Sequence, residues 1–419
     1  MGITAGKLLD LYRSNPDEYL GELDNLLGKT VDESGFRCIK DPVFKPRQLS
    51  ILDLAEAFVG RDTLRRLYES GPGGLRGGRA QVAAEEVGAG ALGPSQYQAI
   101  NAWLGTVDGI LGAELLAKYN LATMIARELV TWKLNVRTQE GKLIRYGFPS
   151  APTQDLQPGQ EFPTGDLSAD WVRANRMLKQ GEVLSLTWEA MHFDQTDSIM
   201  EAVSGENGLA VRFAVVIDER IQRSLWGIDN TYNYKGTVTP TYGTSGAYIN
   251  KITNQLIDAT GPIDVAEQQL LAQTDPSTGL EIAPPDDNRY LIVTPFKFLT
   301  ASRLAAPFGE EMGTLSSASR LQTTQFYTGI RPFRAIRANR LMMAGLGLTL
   351  IQVQERWIWG STKMAFEYRS AKDITTYRYS ITDSPALAKR DVLMELDVSE
   401  MGSVTVREPR YVILNTKDS

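Results

Sequence analysis

With 419 residues the chain is long enough for two or three core-bearing units, and 42% hydrophobic with 22% charged residues is an ordinary globular balance. A single histidine, His192, excludes every His-rich zinc site, and a single cysteine, Cys38, excludes an intrachain disulfide and suits a reducing compartment. A formal net charge of −6 leaves no strong basic footprint for nucleic acid, and the longest apolar run, 341–353, is shorter than the about 20 residues that cross a bilayer.

Residues 1–19 show no basic stretch followed by an apolar one, so no secretory signal is expected, and Gly6 stands where a myristoylation pattern needs Ser or Thr. The first seventy residues read as short helices. Asn15 is expected to cap a helix with Pro16 first in it, Asp17 and Glu18 in its first turn and Gly28 at its end. Ser50 with Asp53 resembles a capping box ahead of ILDLAEAFVG, which Gly60 stops. RDTLRRLYES (61–70) reads as further helix closed by Gly71-Pro72, and 71–93 is a Gly- and Ala-rich connector.

From 97 to about 130 the pattern is helical, with Trp103, Val107, Ile110 and Leu111 on one side. WKLNVRTQEGKLIRYGF (132–148) reads as two β-like runs around a Gly141 turn. Residues 149–170 hold prolines at 149, 152, 158 and 163 and no lysine or arginine; 171–191 then returns in extended form, with a turn expected at Gly181. The span 142–190 thus reads as an out-and-back β excursion, which as an isolated two-stranded ribbon is marginal in water and must lie on something else.

Residues 194–227 hold the most regular helix signal: Leu209, Phe213, Ile217, Ile221 and Leu225 recur every four residues, and Gly205 and Gly208 are expected to break its first third. DNTYNYKGTVTPTYGTSGAYIN (229–250) follows, rich in Tyr, Thr, Gly and Asn. A helix at 263–273, a turn at 275–279, a buried strand from 289, a Thr294-capped helix with Pro295 first, and strands around 341–368 complete an α/β texture. The last segment, 390–416, alternates at period two and reads as a hairpin about a Met401-Gly402 turn.

Motifs for chemistry are few. GAGALG (88–93) has the letters of a dinucleotide loop, but a helical run precedes it and Pro94 follows, so a flexible connector is the better reading. His192 with Asp194, Asp194 with Asp197, and PPDDNR (284–289) lack a third ligand or calcium-loop spacing and read as packed or solvated residues. With no P-loop, G-x-S-x-G, H-E-x-x-H or C-x-x-C pattern, neither an enzyme nor a cofactor is expected. The arginines of GIRPFRAIRANR (329–340) could touch phosphates, but pairing with acidic groups of a neighbouring subunit suits an acidic chain better.

Three blocks together resemble the major capsid protein of tailed bacteriophages, the Hong Kong ninety-seven type fold. They are the returning loop EFPTGDLSADWVRANRMLKQGEVLSLTWEAMHFDQTDSIMEAV with ERIQRSLWGIDNTYNYKGTVTPTYGTSGAYINKITNQLID after it, TDPSTGLEIAPPDDNRYLIVTPFKFLTASRLAA (274–306), and EMGSVTVREPRYVIL (400–414). The resemblance is weak over 1–93. It implies an α+β fold with an N-terminal helical arm and connector (1–93), the start of a peripheral domain (94–141) and an extended loop (142–190). A spine helix and β-rich loop (191–254), an axial domain (255–375) and a C-terminal hairpin (376–419) follow.

It implies self-assembly as hexamers and pentamers into an icosahedral head enclosing double-stranded DNA in non-specific contact, with portal and scaffold or decoration proteins as partners and no membrane. The location would be the virion capsid, assembled in the host bacterial cytoplasm. Phe148, Phe162, Trp171, Tyr232, Tyr234, Tyr242, Tyr248, Arg331, Arg334 and Arg337 are the expected subunit-interface residues, and Gly205 and Gly208 the expected hinges. For 229–250, an intrachain hairpin packed on its own sheet is an equal alternative to a neighbour contact. An encapsulin-like cellular compartment and a nucleotide-binding enzyme at Gly88–Gly93 are the alternative functions. Some family members cross-link a loop lysine to a neighbour's asparagine; here only Lys142 and Lys179 flank a lysine-free 149–170. Boiled particles are expected to run as one monomer band on denaturing electrophoresis, and a ladder of multimers contradicts this.

Overall fold

Helix-forming runs punctuated by glycine fill the first third of the sequence, and they fold as helices in the computed structural model. It describes residues 4–31, 37–44, 51–64, 94–121, 125–146, 169–187, 190, 198–229, 232–244, 248–257, 261–274, 281–282, 289–305, 331–380 and 392–417. Helices α1 (Ala5–Ser14) and α2 (Tyr19–Leu26) lead to a ribbon of β1 (Lys29–Val31) and β2 (Arg37–Ile39), then α3 (Ile51–Val59) and the long α4 (Pro94–Leu121). A 3-10 turn at Ile125–Leu129 and β3 (Thr131–Lys133) precede β4 (Lys142–Tyr146), β5 (Ala169–Arg173) and β6 (Leu178–Thr187). Next come α5 (Ser198–Ser204), α6 (Leu209–Leu225), β7 (Tyr232–Tyr234), β8 (Thr237–Thr239), β9 (Lys251–Thr253) and α7 (Gly261–Leu271). β10 (Tyr290–Val293), α8 (Phe298–Ala305), β11 (Arg331–Arg334), α9 (Ala338–Leu346), α10 (Leu350–Gln354), β12 (Trp357–Gly360) and α11 (Thr362–Ala365) follow. β13 (Phe366–Ser380), β14 (Val392–Val406) and β15 (Val412–Thr416) are the last strands.

The fold class is α+β. Besides the β1–β2 ribbon, the strands form sheets ordered β11-β10-β12-β15-β9, β3-β13-β14-β6 and β4-β5-β7-β8. The chain divides into two compact units, one of 1–123, 179–216 and 372–401, the other of 124–178, 217–371 and 402–419.

In the first unit, α2 and α3 pack along α4. Tyr12, Tyr19 and Phe58 form an aromatic cluster with centroids 5.5 to 6.2 Å apart, and Leu8, Leu23, Leu54, Trp103 and Leu104 are buried. Tyr19 shares a 2.8 Å hydrogen bond between its hydroxyl and that of Thr106, and burial pushes its phenol up to about 12. Gly109 lets α2 approach closely, since a Cβ there would lie 2.9 Å from Leu23 Cδ2.

In the second unit the five-stranded sheet is the core. Its central strands β10, β12 and β15 are buried at every position, and Ile257, Ile263, Leu270, Leu291, Trp357 and Ile413 pack together there. Asn415 lies among them, donating from Nδ2 to the carbonyls of Gln255 and Glu355 at 2.9 Å and accepting the Gln255 N–H at 3.1 Å. Gly360 adopts φ +135°, and a Cβ on it would collide with the Tyr411 carbonyl, so β12 meets β15 only with glycine there. Asp218 on α6 is fully buried: Oδ1 accepts the Ala126 N–H at 2.8 Å, and Oδ2 accepts from Gln222 Nε2 at 2.7 Å and Arg337 Nη1 at 2.5 Å. One carboxylate thereby ties the 3-10 turn, α6 and the β11–α9 connection.

The period-four stripe from Leu209 to Leu225 is buried throughout, and the helix signal breaks between α5 and α6, as expected. Side chains at the two glycines there would strike backbone, at the Glu201 carbonyl for Gly205 and at 2.8 Å from the Val203 carbonyl for Gly208.

Several local expectations are corrected. Asn15 does not cap α2, which begins at Tyr19. Its backbone N–H closes α1 on the Leu11 carbonyl at 3.1 Å, and its side chain donates to Glu18 at 2.8 Å. The runs flanking Gly141 form no hairpin, because β3 pairs with β13 and β4 with β5. Gly181 lies inside β6 rather than in a turn, and a Cβ there would meet the Val398 carbonyl at 3.4 Å, an ordinary contact distance. The break falls at 174–177, where Asn175 donates from Nδ2 to the Val404 carbonyl at 2.6 Å.

Thr294 does not cap a helix beginning at Pro295. A turn occupies 295–297, the Thr294 hydroxyl donates to the Gln354 carbonyl at 3.4 Å, and α8 starts at Phe298. The run 341–353 is helical, not stranded. Leu, Met and Ala favour α9, Gly347 ends it at φ +65°, and a Thr349–Gln352 capping box starts α10. Met401-Gly402 makes no turn. β14 runs through it, with the Gly402 carbonyl accepting from Arg220 Nη1 at 2.9 Å. Ser50, 65–93, 149–168, His192, Asp194, Asp197 and 284–288 lie outside the described residues.

Removing the Asp218 carboxylate strands the Arg337 guanidinium and the Ala126 N–H. Asp218→Ala is expected to lower unfolding stability by about 3–5 kcal/mol, read from the midpoint of chemical denaturation. Replacement of the exposed Glu206 is expected to leave that midpoint within about 0.5 kcal/mol.

Candidate assembly surface

Strands β7 and β8 join through Lys235 and Gly236, both at positive φ (51° and 93°), the two-residue turn that suits the twist of a hairpin. β5 pairs with β7 at Val172–Tyr234 and with β4 over five residue pairs, so the aromatic segment completes a four-stranded sheet of its own chain. Trp171, half-buried on β5, faces this turn. Its carbonyl accepts the Lys235 N–H at 3.3 Å, and a Cβ on Gly236 would sit 3.7 Å from the indole. Lys142 Nζ lies 4.5 Å from the Trp171 ring centroid and Lys235 Nζ 5.0 Å from that of Tyr234.

Of the four expected interface tyrosines, two are core residues. Tyr232 is buried, with Tyr234 and Tyr248 around it at centroid distances of 6.2 and 5.8 Å. Tyr242 is buried against Gly227, whose φ is +65° and whose Cβ, if present, would lie 2.9 Å from the Tyr242 ring. Its hydroxyl donates to the Leu225 carbonyl at 2.5 Å, satisfying the end of α6, and burial raises its phenol above the ordinary value. Tyr248 donates to the Pro240 carbonyl, and Tyr234 is half-buried. Asn250 locks the segment down, donating from Nδ2 to the carbonyls of Thr241 at 3.0 Å and Pro409 at 2.8 Å. Residues 229–250 therefore hold an intrachain hairpin on their own sheet, with edge strand β8 presenting an exposed Val238.

Phe148 and Phe162 lie outside the described residues. Arg331 and Arg334 are exposed on edge strand β11, Arg334 with its guanidinium 6.0 Å from the Phe298 ring. Arg337 pairs with Asp218 and Arg340 with Glu219, both acids on α6 of the same chain.

A second surface was not legible in the sequence. β10 and β11 run parallel and β12 antiparallel to them, which gathers residues 294–299, 335–337 and 349–356 at one end of the five-stranded sheet. The Ala335 N–H donates to the Val293 carbonyl at 3.0 Å, Thr294 reaches Gln354, and Lys297 pairs with Glu355 at 3.1 Å. At this end Phe296, Leu299, Ile336, Leu350 and Ile351 are each 44% to 62% exposed. Five large apolar side chains are thus left in water at one end of a sheet.

Among the described residues no cluster of His, Cys, Asp or Glu could hold a metal, and no helix is long and apolar enough to cross a membrane.

No family model and no curated protein matches the chain. Among solved structures it is similar to the capsid of a native GTA particle, at 11% identity and TM-score 0.44, covering 71% of this chain and 91% of that one. It is similar to the cyanophage Pam1 capsid at 12% identity and TM-score 0.44, covering 70% and 89%. A virus-like particle from Pyrococcus furiosus is similar at 9% identity and TM-score 0.40, covering 73% and 97%. The bacteriophage PhiM1 mature capsid and the capsid of cyanophage P-SCSP1u are also similar.

Tyr242→Phe leaves the Leu225 carbonyl without its donor and is expected to cost about 1–2 kcal/mol. Because the folded phenol holds its proton more tightly than the unfolded one, its contribution is complete below about pH 10 and is lost as pH rises beyond it. Denaturation curves from pH 9 upward are expected to fall less steeply for the Phe variant.

Proposed function

We propose that this chain is the major capsid protein of a tailed phage, a shell subunit that assembles as hexamers and pentamers around double-stranded DNA. The observation that carries the proposal is the exposed apolar end of the five-stranded sheet, Phe296, Leu299, Ile336, Leu350 and Ile351. The three sequence blocks that resemble tailed-phage capsid proteins support the choice of shell over other assemblies.

Assembly then follows from burial. Each of these half-exposed apolar side chains removed from water at a subunit contact stabilises it by roughly 1 kcal/mol, about half the value of a full burial, and interlocked obligate interfaces exceed about 2,000 Å². Strands β4 and β8 leave sheet edges that a neighbour covers, with Trp171 and Tyr234 beside them. The ribbon of β4 and β5 is the base of the extended loop, and β10, β11 and β12 fall in the axial domain (255–375), which meets its copies around the ring. Closure of rings into a shell leaves no edge unsatisfied. Expansion of a precursor shell is a rigid-body shift with Gly205 and Gly208 as its hinges. The net charge of −6 suits a container filled with DNA, since tight phosphate contacts would hinder filling and release. Assembly takes place in the host bacterial cytoplasm, with portal and scaffold proteins as further partners.

Electron microscopy of the purified recombinant protein, with its mass measured in solution, tests the proposal. Closed angular shells or six- and five-membered rings are expected; a monodisperse monomer or dimer at high concentration that no scaffold partner drives to assemble overturns it. Shells filled with a cargo protein rather than DNA in the native source identify a cellular compartment instead. Leu299→Glu with Ile351→Glu is expected to raise the concentration needed for assembly tenfold or more, about 1.4 kcal/mol per decade, while leaving the melting temperature of the unassembled subunit unchanged.

A further inference from the structure

Glu367, at the start of β13, is fully buried, and neither carboxylate oxygen has a hydrogen bond. Three cations surround it instead: Lys133 Nζ at 3.4 Å, Arg407 Nη1 at 3.4 Å and Arg369 Nε at 3.8 Å. The cause is register. The parallel β3–β13 ladder sets Thr131 beside Glu367 and Lys133 beside Arg369, and period-two alternation turns all four to one face. Arg369 is itself buried, with Nε and Nη1 lacking hydrogen-bond partners. Lys133 and Arg407 are about half exposed, so water solvates the outer side of each, and Arg369 is the cation buried with Glu367.

Arg407 also borders a cavity of about 270 Å³ with Leu143, Val172 and Met364 on its walls and Lys363 at its rim. Lys363 has no ion-pair partner among the described residues. Glu408, also in the lining, does not neutralise the rim, because Arg410 holds both its oxygens at 2.6 and 2.8 Å. Apolar walls under a cationic rim fit a carboxylate on an aliphatic stem, the shape of a Glu or Asp side chain.

We propose that this cavity seats a carboxylate side chain of a second copy of the chain, with Lys363 and Arg407 as its donors. The inference rests on the shell reading. A second copy is the occupant on grounds of charge complementarity: the cavity is lined by Lys363 and Arg407, and the chain carries a net charge of −6, with 50 acidic against 44 basic residues.

Two experiments on assembled wild-type and variant particles test it. Zero-length carbodiimide cross-linking of wild-type shells, followed by peptide mass analysis, is expected to join Lys363 to an Asp or Glu of another copy. No Lys363 cross-link, or one confined within a chain, overturns the proposal. Lys363→Glu is expected to raise the assembly concentration about tenfold and to let shells fall apart at lower salt, while Lys363→Arg assembles as the wild type does. Lys363→Glu that melts and assembles like the wild type overturns the proposal and leaves the shell reading standing. A wild type that never assembles defeats the shell reading, and this inference with it. Arg407→Gln is a second variant expected to act in the same direction, judged only where its melting temperature shows that it folds.

Discussion

A single buried carboxylate sets much of the second unit. Asp218 cannot be solvated where it sits, so its hydrogen bonds to Ala126, Gln222 and Arg337 must all form together or the charge is left uncompensated. Arg337 is thereby drawn inward from the connection after β11, and Ile336 beside it is left facing water. The polar anchor and the apolar surface are two results of one constraint. Arg340, one turn further along α9, repeats the pairing on Glu219. The basic run 329–340 therefore divides in two: its later arginines serve the subunit, and Arg331 and Arg334 remain on the outside of an edge strand.

What the sequence made legible was whatever a short window determines. The stripe at Leu209, Phe213, Ile217, Ile221 and Leu225 and the glycines at 205 and 208 specify α6 and its break without help from the rest of the chain. Glycines were harder to read where tertiary contact explains them. Gly181 sits inside a strand with a partner's carbonyl alongside, and Gly227 pairs a local left-handed backbone with the close approach of Tyr242, a contact that a short window does not show. The run 341–353 misled through its apolar content, which a strand and a buried helix share; its capping box was the better signal.

The candidate surface shows the same division. Tyr232 and Tyr242 carry side-chain chemistry that suits contacts, but that chemistry suits a hydrogen-bonded core equally, and burial decides between them. Phe296, Ile336 and Ile351 lie far apart in sequence, and only the register of β10, β11 and β12 brings their loops to one end. The cations around Glu367 are likewise scattered from 133 to 407, and a strand ladder assembles them.

The pairing of β12 with β15 has a mechanical side. Gly360 fits against the Tyr411 carbonyl only in the register observed, so sliding β15 by a residue would drive a side chain into backbone. Asn415 pins the same strand through three hydrogen bonds. A load drawn along β15 therefore has no slip path, and its ladder bonds must share the force and rupture together rather than one at a time. In shear the strand behaves as a keyed joint, stiff up to a threshold and brittle beyond it.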